Sequence, residues 1–272
     1  MDRIAAPIGE SLENVARANA PAWVMILLAV VMFAGWTATY IAIILKSRRD
    51  RAYGIPFPNT CLNFTWELIF AFNLAGGLPP FAFPLRLGHL FWLLPNGFNV
   101  YYTLKFGPGM QTAPLMRRHF RLIFLAAFVA LFAMLYTYHS YARDVYGVAS
   151  AWIINVLMSW LFLRMYLNRR SNITADGTIR GMSLPSAWFK LIGNAAGAVF
   201  CVLWWPAQFS DGVLVHQGIT VAEPESYLFL NVLYTLNILL DVALIWLLRA
   251  RLQEIRAGGT EPGLPDHALR LV

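Results

Sequence analysis

The sequence predicts an all-α membrane protein: a seven-transmembrane helix bundle with its N-terminus outside the cell and its C-terminus in the cytoplasm. Three observations support this fold class. The 272-residue chain is 58% hydrophobic and only 13% charged, whereas a soluble domain carries about 25% charged residues. Seven stretches are apolar enough to cross a bilayer. Basic residues are concentrated in alternate loops between these stretches.

Each predicted helix is a run of mostly apolar residues close to the length of about 20 that crosses the hydrocarbon core. The third is the weakest, because Pro95, Asn96 and Gly97 interrupt it, and we expect a broken helix there. The predicted spans are 22–45, 57–76, 87–105, 119–139, 148–168, 186–206 and 226–249. They form one transmembrane domain between an N-terminal lead and a flexible tail, which we place at 21–256, 1–20 and 257–272.

The charges of the loops predict the orientation, because positive charge marks the cytoplasmic side of a membrane protein. The first, third and fifth loops and the start of the tail are basic. Their basic residues are Lys46, Arg48, Arg49, Arg51, Arg117, Arg118, Arg121, Arg169, Arg170, Arg180, Arg249 and Arg251. The second loop has only Arg86, and the sixth has acidic residues alone. This alternation requires an odd number of spans.

Two acidic residues lie inside predicted spans, and an ionisable group at that depth is a candidate functional residue. Glu67 lies about 18 Å, and Asp241 about 12 Å, from the cytoplasmic ends of their helices. Each has an asparagine four residues earlier on the same helix face, Asn63 and Asn237 respectively. We expect these amides to orient the carboxyl groups. The two acids reach one cavity if the second and seventh spans touch.

Further polar and aromatic residues accompany the two acids. Asn59 and Asn231 extend the two polar stripes. The nearby aromatic residues are Phe64, Trp66, Phe70, Tyr227 and Tyr234. Structural explanations stay open, because a buried carboxyl or amide can bond a neighbouring helix and an aromatic ring can simply pack. The sequence has no HExxH, CxxC, GxSxG or phosphate-loop motif, and we expect neither a metal nor a cofactor.

The stretch "YGIPFPNTCLNFTWELIFA" resembles the integral-membrane terpene cyclases of meroterpenoid biosynthesis, the pyripyropene-cyclase-like family. The hallmark of that family is Tyr-Gly-x-Pro before the second span, then Asn-x-x-Trp-Glu within it. The matching residues are Tyr53, Gly54, Pro56, Asn63, Trp66 and Glu67. A second family acid lies in the last span, where Asp241 matches. The long N-terminal lead favours a bacterial branch that cyclises prenylated indoles and related sesquiterpenoids. A bacterial member would be a multi-pass protein of the plasma membrane.

The resemblance implies a cyclase that protonates a terminal alkene or epoxide of a prenyl chain and ionises no diphosphate. Glu67 is then the general acid, since apolar surroundings disfavour the charged carboxylate and keep the proton on the acid. Asp241 is its expected partner, which shares or relays the proton or acts as the final base. Asn63 and Asn237 orient the two acids.

The expected substrate is a prenylated small molecule that enters from the lipid phase, and membrane lipid is the other expected partner, with no nucleic acid. Aromatic faces stabilise its carbocation without reacting with it. The predicted substrate-binding residues are Asn63, Trp66, Phe70, Asn231, Tyr234 and Asn237. Trp36, Tyr40, Trp92 and Trp160 are weaker aromatic candidates.

Other functions fit parts of the same pattern. A proton-coupled transporter would also use two acids at mid-depth and a broken third span. An intramembrane lipid hydrolase would use carboxyl groups and release an aldehyde and a lysolipid. The interpretation as a receptor rests only on the number of spans, which is an analogy at the level of the fold.

Overall fold

The protein folds into long α-helices in a computed structural model that describes residues 20–76, 78, 83–142, 147–209 and 224–258. A short 3₁₀ helix, Pro108–Met110, follows the third long helix. The long helices are α1 (Ala22–Asp50), α2 (Phe57–Phe72), α3 (Phe83–Phe106), α4 (Pro114–Ala142), α5 (Val148–Arg169), α6 (Leu184–Phe209) and α7 (Pro224–Arg256). The all-α fold class is therefore confirmed. The lead to residue 19, most of the tail, and the side chains of 224–228, including Tyr227, lie outside this description.

Five of these helices are long and apolar enough to cross a membrane: α1, α4, α5, α6 and α7. α2 has only 16 residues, fewer than the roughly 20 that a spanning helix needs. It ends at Asn73, whose left-handed conformation (φ 51°) lets its backbone N–H bond the carbonyls of Ile69 and Phe70. The predicted second span therefore ends earlier than expected.

α3 is continuous from Phe83 to Phe106 with Pro95 inside it, so the predicted break in this segment is wrong. Proline lacks one backbone N–H and disfavours a helix interior by about 3 kcal/mol, which does not outweigh the packing of this helix. The residues that follow Pro95 are held in the bundle, since Asn96, Asn99 and Thr103 are all buried. α3 packs against α1 and α2.

The helices pack around one large hydrophobic cluster and two smaller ones in the part of the chain that the structure describes. α2 lies against α3, α4 and α5, whereas α7 lies against α5 and α6. α1 packs most closely on α6. A Cβ atom on Gly35 would lie only 2.7 Å from the backbone nitrogen of Gly193, so glycine is needed for α1 and α6 to approach this closely.

The basic first and fifth loops meet at one end of the bundle. Asp50 Oδ2 accepts from Lys46 Nζ at 2.7 Å and from the backbone N–H of Gly181 at 2.7 Å. Arg169 donates to the Tyr53 carbonyl at 2.8 Å and lies 4.3 Å from the centre of its ring. The Tyr-Gly-x-Pro segment is thus held by the fifth loop and the end of α5.

The end of α7 joins the same surface. Arg251 donates to the carbonyl oxygen of Arg170 at 3.2 Å. Three segments that the charge pattern predicts on one side of the membrane therefore lie together. Which compartment this end faces stays a prediction.

Candidate functional site

Glu67 is buried in the bundle, with 1% of its surface exposed. The helical spacing of α2 places it on the same face as Asn63 and Asn59, both of which are also buried. Tyr40 of α1 donates its hydroxyl hydrogen to Glu67 Oε1 over 2.9 Å. The other oxygen, Oε2, has no hydrogen-bond partner among the residues that the structure describes. One carboxyl oxygen is therefore held by Tyr40, and the other is buried without a hydrogen bond to a described residue.

Tyr40 links Glu67 to two amides. Its hydroxyl oxygen accepts from Asn63 Nδ2 at 2.6 Å and from Asn96 Nδ2 of α3 at 3.3 Å. The amide of Asn63 therefore orients Tyr40, which in turn binds the acid. The tyrosine hydroxyl from α1 lies between Asn63 and Glu67, so Asn63 acts on the acid through Tyr40. Its role in orienting the acid stays a prediction. We name Glu67, Tyr40, Asn63 and Asn96 the Glu67 group.

A cluster of rings, which we name the aromatic group, lies beside this acid. It consists of Trp66, Phe70, His89 and Trp92. The Trp66 ring centre lies 4.9 Å from that of Phe70 and 4.6 Å from that of His89. His89 and Trp92 are 6.0 Å apart. Trp66 also donates its indole N–H to Ser150 Oγ at 3.0 Å, which fixes the ring next to the acid that follows it in the chain.

Asp241 belongs to a second buried group, in which it is paired with a cation. Its Oδ1 accepts from Lys190 Nζ at 2.5 Å and from Ser159 Oγ at 2.7 Å, and its Oδ2 from Asn194 Nδ2 at 2.8 Å. Asn237 donates to Ser159 Oγ at 3.1 Å. The amide of Asn237 therefore acts on Asp241 through Ser159, and its role in orienting the acid stays a prediction. We name these five residues the Asp241 group.

The two acids have separate hydrogen-bond partners, and the helices that carry them pack in different parts of the bundle. Trp36 of α1 lies between the two groups. Its ring centre is 5.7 Å from that of Tyr40 and 5.9 Å from Lys190 Nζ. The two acids therefore lie in two neighbouring polar groups, and the second acid is paired with Lys190. The expected partnership of Glu67 with Asp241 stays a prediction.

Other predicted site residues lie apart from the Glu67 group. Tyr234 packs on Trp152, with ring centres 4.5 Å apart, in a separate cluster with neighbouring leucines of α7. Asn231 and Trp160 are exposed on the outer surface of their helices. On α7, Asn237 is therefore buried in the bundle, whereas Asn231 is exposed on its surface. The substrate-binding roles of Asn231 and Tyr234 stay predictions.

Sequence reasoning missed Lys190, Ser159, Asn96 and His89, and it ranked Tyr40 low. Lys190 carried a usable signal, since it is an ionisable residue inside the predicted sixth span. His89 carried the same signal, since it lies inside the predicted third span. The other residues carried none, because a single Ser, Asn or Tyr in an apolar helix does not reveal which helix it faces. Within the described residues, no three His, Cys, Asp or Glu side chains come together as metal ligands.

Removing the Tyr40 hydroxyl tests whether it supports the acid. We expect Tyr40→Phe to lower the rate of the reaction that Glu67 carries roughly tenfold to a hundredfold, since a lost buried hydrogen bond costs about 1–3 kcal/mol. Initial rates in membranes with matched protein levels measure this. Tyr141→Phe is the matched control, because Tyr141 is 82% exposed. A wild-type rate for Tyr40→Phe would contradict the role of the hydroxyl.

Comparison with known proteins supplies the family. The chain is 38% identical to terpene cyclase dpmpB of Macrophomina phaseolina over 39% of this chain and 42% of that protein, which is less than half of either. It is 27% identical to terpene cyclase pyr4 of Aspergillus fumigatus over 68% of this chain and 74% of the relative. With terpene cyclase subB of Metarhizium robertsii it shares 33% identity over 46% of this chain and 75% of the relative.

No solved structure matches the chain. A family model described as Pyr4-like transmembrane terpene cyclases matches residues 13–249. That region contains both acids, all seven long helices except the end of α7, and the Tyr-Gly-x-Pro segment. The chain therefore belongs to the Pyr4-like transmembrane terpene cyclases.

Proposed function

We propose that this chain cyclises a prenylated small molecule by protonating the terminal alkene or epoxide of its prenyl chain, with Glu67 as the proton donor. The observation that carries the proposal is the state of the Glu67 carboxyl group. It is buried, Tyr40 binds one oxygen, and the other has no hydrogen-bond partner in the part of the chain that the structure describes. No diphosphate is ionised, so the reaction needs an acid and not a metal.

The hydrogen bond from Tyr40 decides which oxygen of Glu67 carries the proton. A protonated carboxyl group has one O–H donor and one carbonyl acceptor. Because Oε1 accepts from Tyr40 at 2.9 Å, it is the carbonyl oxygen, and the proton is on Oε2. The amides of Asn63 and Asn96 donate to the Tyr40 oxygen, which polarises its O–H toward Glu67 and stabilises the carboxylate that forms.

The aromatic group receives the cation that follows. Trp66 and Phe70 lie one residue before and three residues after the acid on α2, and their four-residue spacing places the two rings on one helix face, with ring centres 4.9 Å apart. Each aromatic face stabilises a cation by roughly 0.5–2 kcal/mol and does not react with it. Water would quench the cation, and the side chains of Glu67 and His89 are both about 1% exposed. An environment without water allows the rings to close before the carbocation is quenched.

We assign the Asp241 group a supporting role. Its carboxylate is neutralised by Lys190 and held by Ser159 and Asn194. Both of its oxygens are therefore occupied by protein partners. We therefore place Asp241 as a positioning residue that joins α5, α6 and α7 behind Trp36.

The finer features of the membrane protein belong to the same proposal. We keep seven spans and a cytoplasmic basic end, with the short α2 buried among its neighbours and α3 crossing at the edge of the bundle, where it exposes an apolar face that includes Leu94 and Phe98. The five apolar helices and the clustering of the basic segments support this arrangement. The bacterial branch, the plasma membrane and a prenylated indole as the substrate stay predictions, since the relatives above come from fungi.

The test is a conversion assay on the purified protein in liposomes. Farnesyl-indole and its terminal epoxide are supplied, the products are separated by chromatography, and their masses are measured by mass spectrometry. We expect an isomer of unchanged mass with fewer double bonds. Movement of intact substrate across the membrane would indicate a transporter instead. Release of an aldehyde and a lysolipid from the liposome lipid would indicate a lipid hydrolase.

A further inference from the structure

A cyclisation that ends in an alkene needs a base as well as an acid. The final carbocation loses a proton from a neighbouring carbon, and a group at that point must accept it. Asp241 is a weak candidate, because Lys190 Nζ is only 2.5 Å from its Oδ1. A different basic group close to the aromatic rings is therefore required.

His89 of α3 is such a group. It is 1% exposed, and neither ring nitrogen has a hydrogen-bond partner among the residues that the structure describes. A buried polar atom without a partner is costly, and such exceptions in a native structure call for an explanation such as a catalytic role. His139, which also packs on Phe70, differs, because its Nε2 lies 3.4 Å from Ser150 Oγ.

The surroundings of His89 are those of a carbocation site. Its ring centre is 4.6 Å from that of Trp66, nearly perpendicular to it, 5.4 Å from that of Phe70 and 6.0 Å from that of Trp92. These rings would stabilise both the carbocation and the imidazolium that forms when the proton is taken. A neutral imidazole has one nitrogen lone pair that can accept a proton.

The distance of His89 from the Glu67 group also suits a residue that acts in the last step of the cyclisation. His89 precedes Asn96 by seven residues on α3, which is about 10 Å along the helix and nearly the same face. Asn96 belongs to the Glu67 group, where protonation starts. The imidazole thus lies about two helical turns from the Glu67 group along α3, with aromatic rings beside it. That separation is the scale of a folded prenyl chain, not of a single bond.

We propose that His89 is the base that ends the cyclisation. A C–H bond next to the cationic carbon breaks, its electron pair forms the product C=C bond, and the proton goes to an imidazole nitrogen. The substrate gains one proton from Glu67 and loses one to His89, so the product is an isomer. Exchange with water then removes the proton from the imidazolium and restores the one on Glu67. This inference rests on the proposed cyclase function.

The test is the product profile of His89→Phe, supplied with the substrate that the wild type converts. Protonation at Glu67 does not need the imidazole, so conversion persists. The share of the wild-type alkene in total product falls at least tenfold, replaced by alkenes at other positions or by an alcohol formed with water. His119→Phe is the matched control, because it removes a half-buried histidine at the start of α4 outside both polar groups. It should leave the profile unchanged.

The same alkene in the same share from His89→Phe would overturn the proposal, and so would the loss of all product from a folded variant. His89→Gln covers the case in which phenylalanine prevents folding, since it is polar, of similar size and not a proton acceptor. The same shift in products is expected from it, and an unchanged profile would also overturn the proposal. Failure of the wild type to form any cyclic isomer would instead remove the cyclase function itself.

Discussion

Glu67→Gln should lower the rate of cyclisation by about 10²- to 10⁴-fold, the usual contribution of a general acid. The amide has almost the same shape as the carboxyl group and can still accept from Tyr40. It has no acidic proton on the atom that replaces Oε2, which is the atom without a protein partner. The measurement is the initial rate of formation of the cyclic isomer at equal protein level.

Glu67→Asp separates the loss of the acid from the loss of its position. It keeps an acidic proton but shortens the side chain by one carbon, so it should retain more activity than Glu67→Gln while losing part of the contact with Tyr40. Equal rates for the wild type and Glu67→Gln would remove Glu67 as the donor. The Asp241 group would then be the next candidate.

Asp241→Asn should destabilise the protein by about 3–5 kcal/mol, because removing one partner of a buried ion pair leaves the other charge uncompensated. Lys190 is 2% exposed, and among the described residues Nζ has Ser159 Oγ as its other hydrogen-bond partner. The measurement is the thermal unfolding of the purified protein in detergent, with the yield of folded protein as a second readout.

The double variant Asp241→Leu with Lys190→Met tests whether the uncompensated charge of Lys190 causes the loss of stability. Replacing both members of a buried pair by apolar residues is often neutral or stabilising, so the double variant should recover most of the lost stability. Some cost remains, since Ser159 and Asn194 lose their acceptor. A double variant as unstable as Asp241→Asn would show that the ion pair is not the origin of the effect.

The sequence allowed the helices and the two acids to be predicted because both signals are local. An apolar run of about 20 residues is visible without knowing its neighbours, and a carboxyl group inside it is conspicuous. α1, α4, α5, α6 and α7 follow these runs closely. The Tyr-Gly-x-Pro segment also lies where the resemblance placed it, before α2.

The partners of the acids could not be predicted, because they depend on which helices are neighbours. Tyr40 reaches Glu67 from α1, and Lys190 reaches Asp241 from α6. The i, i+4 rule placed Asn63 and Asn237 on the correct faces, but each amide bonds a hydroxyl that lies beside its acid. A rule about one helix cannot show that a side chain of another helix lies between.

The second and third helices have features that the hydropathy of the sequence does not predict. α2 is short and carries Asn59, Asn63 and Glu67 on its buried face, so it is polar where an isolated span is apolar. α3 contains Pro95 yet stays helical. Both helices pack against each other, and this contact, which a window along the chain does not detect, compensates for the weak local signal.

The most direct test of proton-initiated cyclisation is the fate of the added proton. The protein is equilibrated in D₂O and supplied with the alkene substrate, and in parallel with an epoxide whose oxygen is ¹⁸O. Protonation by Glu67 predicts one deuterium on the ring carbon that was the less substituted end of the terminal alkene. It also predicts that the epoxide oxygen is retained as a hydroxyl group. A cyclic product without deuterium from the alkene, or without ¹⁸O from the epoxide, would contradict this start of the reaction.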